Sequence, residues 1–162
     1  MSRMHAEATA LIDADASEIY ATLADYRNGH PHILPRKHFS DLQIEKGGIG
    51  EGTVFRIRVR ALGVEQGYRM VVKEAEPGRV LTETDLDTGL VTSFTVTPVQ
   101  GEDKRAQVRI ATDWDAAPGL RGMMERLVTP SMMRRIYSRE LAQLASYMRT
   151  RNAPAGTSGN RG

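Results

Sequence analysis

The chain has no cysteine, and its histidines and tyrosines are the first candidates for acid–base or metal chemistry. Without cysteine there is no thiolate nucleophile, no disulfide and no sulfur-ligated zinc. His30 and His32 stand two apart, with His38 six residues on, and their imidazoles could hold a metal. Pro31 and Pro35 argue instead for an irregular loop with at most a short helical turn. No Asp or Glu stands between His30 and His38 to complete a ligand set. The expectation is no metal and a solvated histidine loop. Among the phenols, Tyr68 and Tyr137 fall on inward-facing positions of their elements, and a well-placed phenol can act as general acid or base. Each could equally be a core residue with a hydroxyl partner. Arg56, Arg58 and Arg60 form a row that could meet phosphate, or could lie on a wet sheet face opposite acids such as Glu83 and Asp85. The second reading is the expected one. No GxGxxG, P-loop, GxSxG or HExxH pattern occurs, and Gly47-Gly-Ile-Gly50 precedes a strand rather than a helix.

The elements that must position these residues are legible from periodicity. A first strand is expected near Met4–Ile12, followed by a helix opened by Asp15 with Glu18 three residues later, the spacing of a capping box. Ile19 and Leu23 lie one turn apart, and Asn28-Gly29 marks the expected helix end. From about residue 38 to 115 the apolar period becomes two. Phe55, Ile57, Val59 and Ala61 alternate with three arginines, and further strands follow at Gln66–Glu74, Arg79–Asp85, Leu90–Val99 and Arg105–Asp113. Short turns at Glu76-Pro-Gly78, Asp87-Thr-Gly89 and Gln100–Asp103 imply sequential antiparallel hairpins. With Phe39–Glu45 counted, seven strands result. Leu120 to Met148 is helical in pattern and would run about 45 Å, with a kink or break expected at Pro130, where Thr129 could cap a restarted helix.

This order is an α+β layout. Two helices are too few to fill the concavity of a curved seven-stranded sheet, so an internal cavity is expected. The chain has 162 residues with 40% hydrophobic and 26% charged, which fits one domain over residues 1–150. Residues 151–162 lack any large apolar side chain and read as a disordered tail. The 22 Lys+Arg and 20 Asp+Glu are interspersed, so no nucleic-acid footprint is expected. The apolar runs are far too short to span a bilayer, and the first residues carry Glu7 and Asp13 where a signal peptide needs an apolar run. A cytoplasmic protein without stable membrane insertion is expected, its monomeric or homodimeric state left open.

At this point the sequence resembles the START/Bet v 1-like (SRPBCC) superfamily, and within it the polyketide cyclase/dehydrase-like group. The resemblance is carried by Ile12-Asp-Ala-Asp-Ala-Ser-Glu-Ile-Tyr-Ala-Thr-Leu-Ala-Asp-Tyr26, Gly47-Gly-Ile-Gly-Glu-Gly-Thr-Val54 and Glu76-Pro-Gly-Arg-Val80. It continues in Thr92-Ser-Phe-Thr-Val-Thr-Pro98 and Arg134-Arg-Ile-Tyr-Ser-Arg-Glu-Leu141. It implies a helix-grip fold around a cavity that takes lipids, polyketides or other apolar molecules. No universal catalytic motif comes with it and no cofactor is expected. The expected partner is a small hydrophobic or amphipathic ligand touching Phe55, Ile57, Tyr68, Met70, Phe94, Trp114, Met124 and Tyr137. Met123 and Met124 are read as part of a movable cavity lid. The alternative is a polyketide cyclase/dehydrase in which Tyr68, Tyr137 or His30 guides an aldol condensation and loss of water. A third reading is an interaction protein whose packed interior holds nothing.

Overall fold

Asp15 begins the first helix by accepting the backbone N–H of Ser17 at 2.8 Å, so α1 (Ala16–Ala24) leaves strand β1 (Arg3–Ile12) through a capped turn. The structure is a computed structural model that describes residues 3–153, apart from the side chains at 120 and 124–127. The helix ends at Ala24, a turn earlier than Asn28-Gly29 suggests. Asp25 takes over there, accepting the backbone N–H groups of Arg27 and Asn28 at 3.0 Å each. A 3-10 turn over His30–Ile33 follows, with Pro31 in its first positions.

Six strands then meander: β2 (Phe39–Lys46), β3 (Val54–Ala61), β4 (Val64–Glu76), β5 (Val80–Asp85), β6 (Val91–Pro98) and β7 (Ala106–Asp115). All pairs are antiparallel, in the order β1-β7-β6-β5-β4-β3-β2. The register slips between β2 and β3 and again near Lys73/Glu76; such bulges deepen twist and bend a sheet. The outer face of β3 carries its arginines with acids from neighbouring strands: Arg58 and Arg60 meet Glu65, and Arg56 and Arg69 meet Glu45. The partners are not Glu83 and Asp85. Both point to the inner side and are buried, 8% and 2% exposed. Asp85 accepts the backbone N–H of Arg69 and of Thr88, closing the β5–β6 turn.

The glycine-rich segment before β3 clasps the end of α1. Tyr26 N–H donates to the Gly48 carbonyl and Gly50 N–H to the Ala24 carbonyl, both at 2.9 Å. Gly48 sits at φ 135°, and a Cβ there would lie 2.2 Å from Nε of Arg27. The segment is therefore a structural clasp.

The long helix α2 runs from Gly119 to Asn152 without interruption. Pro130 removes one internal hydrogen bond, yet the helix neither breaks nor restarts at Thr129. It also passes residue 150, so Arg151 and Asn152 belong to the helix and Ala153 caps it; residues 154–162 of the expected tail lie outside the described residues. The buried stripe of α2, Ile136, Tyr137, Glu140, Leu141, Leu144 and Met148, belongs to its C-terminal half, which packs near β1 and the 3-10 turn. Among the described side chains of residues 119–135, only Gly122 is fully buried. From that half Thr129, Met132 and Met133 reach the interior.

Candidate functional site

The space beneath the N-terminal half of α2 is a cavity of about 620 Å³. Its walls come from the inward positions of β3, β4, β6 and β7. Phe55, Ile57, Tyr68, Met70, Phe94, Trp114 and Tyr137 all line it. Met124, the eighth side chain expected there, lies outside the described residues. Met123 is 55% exposed and does not line the cavity, so it gives no support to a methionine lid; Met132 and Met133 take the lining positions instead. The mouth lies where Leu62 and Val64 flank the β3–β4 turn, Thr88 marks the β5–β6 turn and Arg121 begins α2. No three His, Asp or Glu side chains are grouped as a metal site among the described residues.

The inner end is polar, and its groups are deeply buried. His30 is 2% exposed rather than solvated, because Nδ1 donates to the carbonyl of Leu23 at 2.8 Å, one of the carbonyls left open at the end of α1. That bond turns Nε2 toward Glu83, whose Oε1 is 3.5 Å away. The same Oε1 accepts the Tyr26 hydroxyl at 2.6 Å. The Tyr26 ring stacks on His30 at 4.5 Å and on Phe55 at 4.9 Å, and Phe94 meets the imidazole edge-on. Burial pushes the Glu83 carboxyl above its ordinary range, an effect that His30 and the Tyr26 hydroxyl partly offset. His32 points elsewhere and stacks on Tyr147, while His38 contacts the Arg60 carbonyl and Arg139. The three histidines do not converge.

A second polar group lies close to the first, near enough for the Glu83 charge to act on it. Thr92 and Thr112 share a hydrogen bond at 2.7 Å, and Thr112 also bonds the Tyr137 hydroxyl. Burial raises the Tyr137 phenol well above its usual range, so it stays protonated at neutral pH. Glu140, one turn from Tyr137 on α2, is 2% exposed, and burial and the Glu83 charge hold its carboxyl well above the ordinary range. Glu83, Glu140, Thr92 and Thr112 all line the cavity and escaped the sequence reading. Glu140 left a signal: it interrupts the apolar stripe between Tyr137 and Leu141. Glu83 left none, since an acid in an alternating strand reads as outward-facing.

An apolar chamber with buried acids, a histidine and hydroxyls at one end can hold a ring-sized molecule and exchange protons with its polar end. The family model described as "Polyketide cyclase / dehydrase and lipid transport" matches residues 3–149. No curated protein matches the sequence. Among solved structures, the KanY protein, determined by NMR, is 28% identical and superposes with a TM-score of 0.78, covering 91% of this chain and 99% of its own. The Zhui aromatase/cyclase from Streptomyces sp. R1128 is 20% identical, with a TM-score of 0.76 over 96% of this chain and 100% of its own. A START superfamily protein from Mycobacterium smegmatis, 16% identical, gives 0.59 over 91% and 95%. The last two likenesses speak for the fold alone. With the family model spanning nearly all of the seven-stranded sheet and both helices, the chain belongs to the polyketide cyclase/dehydrase and lipid-transport family.

Proposed function

We propose that the protein takes a small hydrophobic or amphipathic molecule of lipid, polyketide or aromatic type into its interior cavity. The observation that carries this is the cavity of about 620 Å³, apolar along Phe55, Ile57, Met70, Phe94 and Trp114, with a buried polar group at its inner end and a few polar side chains at the mouth. Apolar burial at about 25 cal/mol per Å² supplies the affinity, and the few polar groups set orientation. The mouth is rimmed by side chains of turns, which allows entry without unfolding the sheet. The experiment is native mass spectrometry of freshly purified protein with solvent extraction of any adduct. Titration of a lipid and aromatic panel against the fluorescence of Trp114, the only tryptophan, accompanies it. One defined adduct or saturable quenching at unit stoichiometry is expected. A clean mass with no uptake from the panel would move the weight to an interaction protein.

A second reading is favoured by the buried acids. In a cyclase/dehydrase the Tyr137 phenol and the carboxyls of Glu83 and Glu140 would deliver and receive protons while a poly-carbonyl chain closes and loses water. His30 adds a nitrogen within reach of Glu83. Tyr68 lines the outer part of the chamber and is the weaker acid–base candidate. Tyr137→Phe separates the readings: it spares uptake in both, and abolishes turnover only if the protein is an enzyme.

A further inference from the structure

Among the described residues at the inner end of the cavity, one acidic side chain has polar atoms with no hydrogen-bond partner. Glu140 is 2% exposed and lines the cavity, and its carboxyl makes no hydrogen bond or ion pair with another described residue. Its polar neighbours are satisfied. Glu83 accepts from Tyr26, His30 donates to Leu23, and Thr92, Thr112 and Tyr137 bond one another. The positions beside Glu140 on the same stripe are Ile136, Leu141 and Leu144, and packing alone would be served by another leucine. Burying a carboxyl without a protein partner costs stability, and the group is placed where a molecule held in the cavity can satisfy it.

We infer that Glu140 anchors the polar end of the ligand by donating a hydrogen bond from its carboxyl group to a carbonyl oxygen. This rests on ligand uptake by the cavity as proposed above. The ligand class is accordingly an apolar ring or chain that ends in a ketone, quinone or similar neutral carbonyl.

The surroundings select this chemistry over the alternatives. The titratable groups that line the cavity with Glu140 are Glu83 from β5, His30 from the 3-10 turn, Tyr137 from its own helix and Tyr68 on β4, and of these Glu83 is the charge that acts on it. Asp115 and Arg121 stand at the mouth, and no lysine lines the cavity. With burial and a second acid both favouring its neutral form, Glu140 presents one O–H donor. The complementary atom is an acceptor. A ligand carboxylate would meet two acids and no lysine. A ligand ammonium would need Glu140 ionised, and its binding would strengthen as Glu140 loses its proton, the opposite trend to that of a carbonyl.

The test compares 2-acetylnaphthalene with 2-isopropenylnaphthalene, which replaces the carbonyl oxygen by a methylene of similar shape. Dissociation constants are read by Trp114 quenching at about pH 6 and about pH 9 for the intact protein, Glu140→Gln and Glu140→Leu, since a raised acid titrates above the ordinary carboxylate range. The intact protein is expected to prefer the ketone by about fivefold to tenfold at the lower pH, the worth of one buried hydrogen bond. That preference falls as pH rises and Glu140 ionises. Glu140→Gln keeps an amide donor and holds the preference at both pH values. Glu140→Leu loses it at both while binding the isopropenyl compound at least as tightly as before, which also shows that the variant is folded. Uptake of both probes without discrimination, or a ketone preference that survives in Glu140→Leu, would overturn the inference and leave ligand uptake standing. Tighter binding of 2-(2-naphthyl)ethylamine than of the ketone would overturn it in favour of a cation. Failure of every probe to enter would overturn the uptake reading and this inference together.

Discussion

Tyr26→Phe removes a single oxygen from the group that holds the cavity-lining Glu83, and its cost can be worked from the geometry. The ring stays, so its stacking on His30 and Phe55 is kept and no void opens. What is lost is the 2.6 Å hydrogen bond to Oε1 of Glu83, a carboxyl that is almost completely buried. A hydrogen bond to a charged acceptor contributes about 1.5–3 kcal/mol, and the acceptor left behind has only His30, at 3.5 Å, to turn to. For a domain of this size about 2 kcal/mol lowers Tm by roughly 4–8 °C. The effect depends on pH, and its sign follows from linkage. Burial raises the Glu83 carboxyl in the folded state, so the native protein binds more protons than the unfolded chain between the two pKa values, and stability falls as pH rises through that window. The Tyr26 hydroxyl opposes that rise; without it the Glu83 carboxyl moves further up and the window widens. The Tyr26→Phe loss is therefore small below the ordinary carboxylate range and grows toward neutral and alkaline pH. Urea unfolding of both proteins at about pH 4 and about pH 8 reads it directly. In a Glu83→Gln background the loss shrinks, because no charge awaits the donor. An equal loss at both pH values, or one undiminished beside Glu83→Gln, would refute the reasoning.

Gly48→Ala is expected to destabilise by about 1–3 kcal/mol in thermal unfolding, since it places a Cβ against Arg27 at a φ of 135° that side chains rarely adopt. Gly63→Ala, at a turn with nothing within 4 Å, is the control and costs less. Val59→Trp puts an indole into the cavity from β3; native mass spectrometry should show a folded protein with ligand uptake reduced at least about tenfold, as filling a pocket competes directly with its occupant. Arg58→Ala on the outer face breaks an exposed pair with Glu65, and calorimetry is expected to show no measurable change in Tm and ligand titration no change in affinity.

The strand pattern was readable wherever one face was plainly apolar. Phe55, Ile57 and Val59 against three arginines leave one arrangement, because slipping by one residue would bury the guanidinium groups. On β5 the same rule misled. Val80-Leu81-Thr82-Glu83-Thr84-Asp85 offers one large apolar residue per face, and the acids were assigned to water. Their burial depends on groups supplied by other elements: Tyr26, 57 positions away, for Glu83, and the Arg69 and Thr88 amides for Asp85. Periodicity cannot see such partners. His30 fails for the same reason, since its partner is a helix-end carbonyl and the helix ended earlier than its glycine signal. Pro130 suggested a break because a missing hydrogen bond is a local fact; continuity of the helix is set by the turns on either side. Glu140 is the legible exception, a carboxyl that interrupts the apolar stripe of α2 between Tyr137 and Leu141.

The sheet order sets when the cavity can exist. β1 lies beside β7, with Arg3 opposite Asp115 and Ile12 opposite Ala106, so the first strand made waits for the last. Contacts this distant along the chain slow folding, since the intervening loop must close before they reward it. A nascent chain emerging in order can build the β3–β4 and β5–β6 hairpins as soon as each is complete, while β1 and the apolar side of α1 remain uncovered. Only arrival of β7, and then of α2 with Leu141, Leu144 and Met148, closes the core. The chamber is thus the last feature of the molecule to form, and a chain halted before Ala106 has a β1 with no partner strand.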